Sequence, residues 1–189
     1  IVTKAASSLS GVAVYGTAGF LSEATGRTNG GIMAASNDTK VSWDLSVFKG
    51  KSIISDELYQ DIWQSSDPVS LSNATYADPL NVNAGLRYNG LSIRTMFDKF
   101  ETADPESNVS FQNYSLDVQY KINASSRFRL TPRIQYLNQI PWYYDYPETP
   151  EIDFQVRALR KLGQLDGDYA ISRKVNLNFG ALYFTDESI

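Results

Sequence analysis

Paired carboxylates are the residues in this chain whose types could do acid–base chemistry. They occur at Asp56-Glu57, Asp166-Gly167-Asp168 and Asp186-Glu187. Acid–base catalysis requires a desolvated cleft that raises the pKa of one member, whereas adjacent carboxylates in surface segments are ordinarily solvated. The chain contains no histidine, so Ser-His-Asn and Asp-His arrangements are excluded. The sequence therefore predicts that the protein is not an enzyme.

Metal binding is the second chemistry to consider. Calcium takes about six to eight oxygen ligands, which acidic residues of one segment could supply: Asp56, Glu57, Asp61, Asp67 and Asp78. Their spacing is not that of a calcium loop. The absence of cysteine and histidine also excludes thiolate and imidazole sites for zinc. We therefore expect no metal and no cofactor, and we interpret these acids as solubilising an exposed connection.

The aromatic segment 141–147 is the best candidate for ligand binding. It reads Pro-Trp-Tyr-Tyr-Asp-Tyr-Pro, and its rings and phenol hydroxyls suit an aromatic chelator, a saccharide or a flat organometallic ligand. An aromatic girdle at a membrane interface is an equal alternative for Trp142 and Tyr143. Tyr144 and Tyr146 lie further out, which favours ligand contact. The predicted ligand-binding set is Trp142, Tyr143, Tyr144 and Tyr146.

Composition restricts how such a chain could meet its surroundings. Aromatic residues make up 13% of it and the net charge is −4. No apolar run reaches the length of about 18 residues that a spanning helix needs, so any membrane crossing must use strands. Lysine and arginine form no clustered excess, which argues against nucleic acid as a partner.

Strict alternation of apolar and polar residues is the dominant pattern. It is clearest at 41–47, Val-Ser-Trp-Asp-Leu-Ser-Val, and it indicates strands with two different faces. We predict an all-β, antiparallel fold of about nine strands, at 8–20, 25–36, 41–54, 80–89, 91–102, 110–122, 127–141, 152–171 and 175–187. The apolar set of the eighth strand changes parity between Val156 and Leu165, which predicts a bulge near Gly163. Pro132 falls on the apolar side of the seventh strand, where it costs one ladder hydrogen bond and would be tolerable at a bulge.

The connections between these strands alternate in length. Short turns are predicted at 37–40, 89–90, 123–126 and 172–174, and longer polar connections at 55–79, 103–109 and 142–150. The first connection, near 21–24, is also short. Short turns on one side and long loops on the other are typical of a transmembrane β-barrel, with the long loops extracellular.

The two faces of the strands have different expected environments. We expect a lipid-facing set and a lumen-facing set. The lipid-facing residues are Val41, Leu45, Val82, Leu86, Leu116, Val118, Leu177 and Phe179. The lumen-facing residues are Asn81, Arg87, Arg94, Arg129, Arg133 and Asn178. A soluble β-sandwich would alternate too, but long strands whose apolar faces end in aromatics such as Trp43 and Tyr88 favour the barrel.

Several segments resemble TonB-dependent outer-membrane receptors. Ile1-Val2-Thr3-Lys4 is similar to the end of the plug domain in that family, and Phe111-Gln112-Asn113-Tyr114 is similar to a segment from the middle of its barrels. The resemblance implies a bacterial outer-membrane barrel of about 22 strands, closed by a plug. Residues 1–6 would end the plug or connect it to the barrel, and 7–189 would form strands one to nine. Bacterial single-chain barrels have an even strand number, so nine strands predict a fragment.

The resemblance also implies a function. Such a receptor binds a scarce ligand, a ferric siderophore, cobalamin, saccharide or peptide, and imports it by active transport. Its expected partners are outer-membrane lipid, the ligand, and a TonB-like energy-coupling protein that acts through the plug. Two alternatives stay open. The first is a passive porin-type channel. The second is a structural or adhesive barrel, or a soluble lectin-like β-domain.

Overall fold

The computed structural model of the chain describes residues 10–21, 25–38, 40–60, 67–103, 105, 107–145 and 154–188. The strands are β1 Gly11–Phe20, β2 Thr25–Asn37, β3 Val41–Ser52, β4 Leu58–Tyr59, β5 Val69–Ser70, β6 Tyr76–Tyr88, β7 Leu91–Ala103, β8 Asn108–Tyr120, β9 Ile122–Asn123, β10 Phe128–Asp145, β11 Phe154–Ala170 and β12 Asn176–Ser188, and the helix α1 is Leu71–Ala74. The short β4 and β5 pair with each other, and β9 pairs with β10. The nine long strands form one antiparallel meander.

The predicted all-β antiparallel fold is confirmed, with a long strand at each of the nine predicted places. Two strands are longer than expected. β6 begins at Tyr76 rather than at 80, and β10 continues to Asp145 rather than ending at 141. The connection after β7 is limited to 104–107. The contrast between short turns and long connections is therefore weaker than predicted.

The strand register divides the nine long strands into two faces. Along one row the paired residues are Asp44, Gly85, Arg94 and Asp117, and in the next row they are Leu45, Ala84, Thr95 and Leu116. We call the first side the polar face and the second the apolar face. The register places all six residues expected in a lumen on the polar face, and all eight residues expected in lipid on the apolar face.

The sheet is a single layer. Among the described residues the buried hydrophobic side chains are only Ala35 and Ala103. Large side chains of the apolar face are exposed, including Ile134 at 67% and Tyr183 at 73%. In the described part of the chain β1 and β12 do not pair with each other, so the sheet is open. No second protein layer covers the apolar face there.

The bulge predicted near Gly163 is wrong, and β10 has no bulge at Pro132. Gly163 pairs with Ile134 in a register that is constant from Phe128 to Gln139, so the parity change simply places Val156 on the polar face and Leu165 on the apolar face. At Pro132 the pairing with β8 is interrupted and resumes with β9 in the same register. The interruption needs no extra residue, because proline lacks the N–H that a ladder hydrogen bond requires.

The register shift of β10 lies further along the strand. It falls between Gln139 and Trp142 against β11 and between Ile140 and Tyr143 against β8. A shift against both neighbours at the same point means that β10 contains one extra residue there, at or next to Pro141.

The turn at Asn89-Gly90 matches its prediction as the tightest connection. Both residues have positive φ, 44° and 87°, as Asn-Gly hairpin turns of two residues require. The Lys121 N–H donates to the Gly90 carbonyl at 2.9 Å. This contact ties the turn to the neighbouring strand connection.

The connection 53–75 folds back on itself in its described part. The buried Thr75 hydroxyl donates to the Leu71 carbonyl at 2.7 Å and accepts from the Ile54 N–H at 3.2 Å. The Leu71 N–H donates to the Glu57 carbonyl at 2.9 Å. Throughout the described ranges, no helix is both long and apolar enough to span a bilayer.

Candidate functional site

The centre of the polar face is organised by Arg94 on β7. Its guanidinium donates from Nη2 to Asp44 Oδ1 at 3.0 Å and from Nη1 to Asn83 Oδ1 at 2.6 Å. Asp44 is only 7% exposed, and a carboxylate removed from water in this way requires a cation or several hydrogen-bond donors. Arg94 supplies both.

Gly85 makes this contact possible. Asp44 lies on β3 and Arg94 on β7, and the register puts Gly85 of β6 between them. A Cβ atom built on Gly85 would lie 2.6 Å from Asp44 Oδ1 and 2.7 Å from Arg94 Nη2. The missing side chain therefore leaves the space in which an ion pair can cross an intervening strand.

Further polar pairs join neighbouring strands on the same face. The Arg133 Nε donates to Asp117 Oδ2 at 2.7 Å, linking β10 to β8. The Asn81 amide donates to Asp98, linking β6 to β7. These pairs are partly exposed, so each stabilises the sheet by at most about 1 kcal/mol. Together with Arg94 they fix the positions of charges across β3 to β10.

Three of the six predicted polar residues lie nearer the short turns. Arg129 donates from Nε to Asn123 Oδ1 at 3.3 Å, and Asn178 pairs in register with Asp168. Arg129, Asp168 and Asn178 line a groove of about 860 Å³. Arg87 lines a second groove of about 510 Å³ together with Lys40 and Lys121.

Asn113 is a buried polar residue of the same face. It is 8% exposed, pairs in register with Asp98 and Gln139, and its Oδ1 accepts no hydrogen bond from the described residues. A buried acceptor without a donor destabilises a fold by about 1–3 kcal/mol. A donor that reached Asn113 from a ligand or another segment would therefore be stabilising.

The aromatic segment differs from its prediction. β10 contains Trp142, Tyr143 and Tyr144, so these residues are not in a loop. Tyr143 and Tyr144 pair with both β8 and β11, and Trp142 pairs with β11. Trp142 pairs with Val156 and Tyr144 with Phe154, both on the polar face, whereas Tyr143 lies on the apolar face. Trp142 is 54% exposed. Tyr146 lies outside the described residues.

Sequence reasoning missed three aromatic residues on the same side as Trp142 and Tyr144. Phe100 pairs with Phe111, and Phe154 pairs with Tyr144. The faces of these three residues follow from the alternation of their own strands, whereas those of Trp142 and Tyr144 follow only when the register shift next to Pro141 is known. The register thus brings aromatic rings together on the polar face at the strand ends opposite the short turns.

The carboxylate pairs of the sequence do not form a cluster in the described part of the chain. Asp186 binds Arg160, with 2.7 Å from Nε to Oδ1, and Asp166 accepts from the Gln164 amide at 2.8 Å. No group of three or more described Asp, Glu, His or Cys side chains could hold a metal ion. Asp61 lies outside the described residues. That the protein is not an enzyme stays a prediction.

The polar face can therefore bind by fixed charges, amides and ring surfaces. The apolar face exposes large apolar side chains such as Ile134, and it also carries some charged side chains such as Lys49, Lys99 and Lys161. In comparisons with known proteins, no protein-family model matches this chain and no curated protein matches it.

Proposed function

We propose that the nine long strands are part of the wall of a β-barrel in the bacterial outer membrane, with the apolar face toward lipid and the polar face toward a lumen. One observation carries the proposal, the uncovered apolar face of a single-layer sheet. In water, an exposed apolar face of this kind would favour association of the protein with other molecules. In hydrocarbon it is stable, provided that every backbone group is paired within a closed sheet.

We further propose that this barrel is a TonB-dependent receptor. The support is the resemblance of Ile1-Val2-Thr3-Lys4 to the end of a plug, together with the order of strands that follows it. Residues 1–9 lie outside the described part of the chain. In this function the protein binds a scarce ligand outside the cell and imports it when a TonB-like protein acts on the plug.

Ligand contact in this proposal involves Trp142 and Tyr144, since both share the polar face with Phe154. Tyr143 is on the opposite face, so its role is contact with lipid at the membrane interface. Ferric siderophores, cobalamin, saccharides and peptides all offer ring or apolar surface for stacking.

A passive porin-type channel is the second candidate. The Arg94–Asp44 and Arg133–Asp117 pairs support a passive channel as well as they support a receptor, because fixed charges on a water-filled wall suit solute passage. Uptake measurements separate the two. A receptor loses ligand uptake when the TonB-like protein is deleted, whereas a passive channel keeps it.

The membrane assignment itself is tested by single-cysteine variants, since the chain has no native cysteine. Cysteine at Leu86 or Ile134 should react with a lipid-soluble maleimide in reconstituted vesicles and resist a charged, water-soluble thiol reagent. Cysteine at Ser92 or Gln135, on the polar face, should react with the charged reagent. Equal reaction of all four positions with the charged reagent would exclude a transmembrane wall.

A further inference from the structure

The two ends of the sheet carry opposite charges. The turns joining β2 to β3, β6 to β7, β8 to β10 and β11 to β12 lie at one end, which we call the turn end. They contain one carboxylate, Asp38, and five exposed cations: Lys40, Lys121, Arg127, Arg173 and Lys174. The connections 21–24, 53–75, 104–107 and 146–153 contain Asp and Glu but no Lys or Arg. In a chain of net charge −4, the connections at the turn end are thus net positive, whereas the long connections are net negative.

Aromatic side chains of the apolar face adjoin these cations. Tyr120 directly precedes Lys121, and Phe128 directly follows Arg127. Tyr88 and Trp43, at or near the ends of β6 and β3, are 49% and 43% exposed. A ring with an apolar body and a polar tip is stable at the headgroup level of a bilayer. Cations placed just beyond such rings are at the depth of lipid phosphates.

We propose that the turn end binds the anionic phospholipid headgroups of the leaflet that contains the turns. This inference rests on the proposed membrane function and adds the chemistry of the lipid. Arginine and lysine form charge-assisted hydrogen bonds with phosphate oxygens. Each basic residue near an anionic surface strengthens membrane association about fivefold.

A lipid surface fits the distribution of the cations better than an acidic protein does. The five cations are spread over three turns along the width of the sheet, from Lys40 after β2 to Lys174 before β12. They do not form one compact patch. A planar layer of anionic headgroups can meet all of them at once.

The test compares the full chain with two triple variants in vesicles of phosphatidylcholine, with and without phosphatidylglycerol. The turn variant is Arg127→Gln, Arg173→Gln and Lys174→Gln. The control removes three cations of the polar face that lie outside the turns, Arg27→Gln, Arg133→Gln and Arg160→Gln. The quantity measured is the ratio of association with the two kinds of vesicle. We expect the turn variant to lose about fivefold of this ratio per cation, and the control to keep it.

Salt gives a second measurement that does not depend on how the variants fold. Raising the ionic strength from about 0.01 M to 1 M shortens the screening length from about 30 Å to 3 Å, so the preference of the parent chain for phosphatidylglycerol should disappear. A preference that is independent of salt overturns the proposal. So does an equal loss in the turn variant and the control, or displacement of the parent chain from the vesicles by soluble polyglutamate.

Brominated acyl chains separate this inference from the membrane function. Trp43 fluorescence would be followed in a chain with Trp63→Phe and Trp142→Phe. Quenching without any preference for phosphatidylglycerol overturns the headgroup inference and leaves the transmembrane proposal standing. A preference without quenching overturns the transmembrane proposal and keeps the headgroup contact. Failure to associate with either vesicle overturns both.

Discussion

Arg94 and Asp44 form an ion pair at 3.0 Å although a whole strand, β6, lies between their own strands. Most ion pairs in a sheet join adjacent strands, because directly opposite side chains are the nearest ones. Here Gly85 occupies the intervening register position and leaves the space open. The pair therefore links three strands at once.

Replacing Gly85 with alanine should destabilise the protein by about 1–3 kcal/mol, the cost of separating a buried carboxylate from its donor. The new Cβ would lie within 2.7 Å of both partners, so one of them must move. The free energy of unfolding, from urea titration in vesicles, is the measurement. Gly163→Ala is the matched control, because a Cβ there has no neighbour within 4 Å. The Gly163→Ala substitution should be neutral, or it should stabilise the protein by up to about 1 kcal/mol.

A double-mutant cycle shows whether the ion pair is the cause. In an Asp44→Asn background, Gly85→Ala should cost clearly less than in the parent chain, because the carboxylate that it displaces is already absent. The same cost in both backgrounds would mean that Gly85 acts through the backbone and not through the Arg94–Asp44 pair.

Lysine at Leu86, on the apolar face, should destabilise the protein by about 2–4 kcal/mol if the site is near the bilayer midplane. Lysine at Asn81 should cost little, because it lies on the polar face opposite Asp98, with which it can form an ion pair. The comparison uses unfolding in lipid vesicles. Equal costs at Leu86 and Asn81 would be incompatible with a lipid-facing apolar side.

Neighbouring aromatic positions of β10 should differ in their environment. Cysteine at Tyr144 should react with a charged thiol reagent in reconstituted vesicles, and a bound ligand should protect it. Cysteine at Tyr143 should react with a lipid-soluble reagent instead, since it lies on the apolar face. If Tyr143→Cys reacted with the charged reagent as fast as Tyr144→Cys, the proposed ligand contact at Tyr144 would lose its support.

The orientation of the sheet predicts labelling in intact cells. Cysteine at Asn73, in the long connection before β6, should react with a membrane-impermeant reagent, and cysteine at Ala124, in the turn before β10, should not. Ala124 is a better turn probe than Gly90, because φ of Gly90 is 87° and a Cβ there meets the Lys121 carbonyl at 2.7 Å. The reverse labelling would place the turn end outside the cell.

Alternation was sufficient to predict the strands and their two faces, because a period of two is a local property of the chain. It could not predict partners across strands. Asp44 was visible as a polar position on β3, but its pairing with Arg94 depends on the register of three strands. Register depends in turn on connections such as 53–75, whose internal folding the sequence does not reveal. The bulge was predicted near Gly163 for the same reason, although the extra residue lies at or next to Pro141.

The extra residue in β10 has an evolutionary consequence. Before it, odd-numbered residues such as Arg133 and Gln135 are on the polar face, and after it the even-numbered Trp142 and Tyr144 are. Deleting the codon for Pro141 would remove the extra residue and restore an uninterrupted period, while Trp142 keeps its pairing with Val156 and Tyr144 its pairing with Phe154 on the polar face. A lineage could thus gain or lose this bulge through a single in-frame insertion or deletion and keep the same aromatic surface on the polar face.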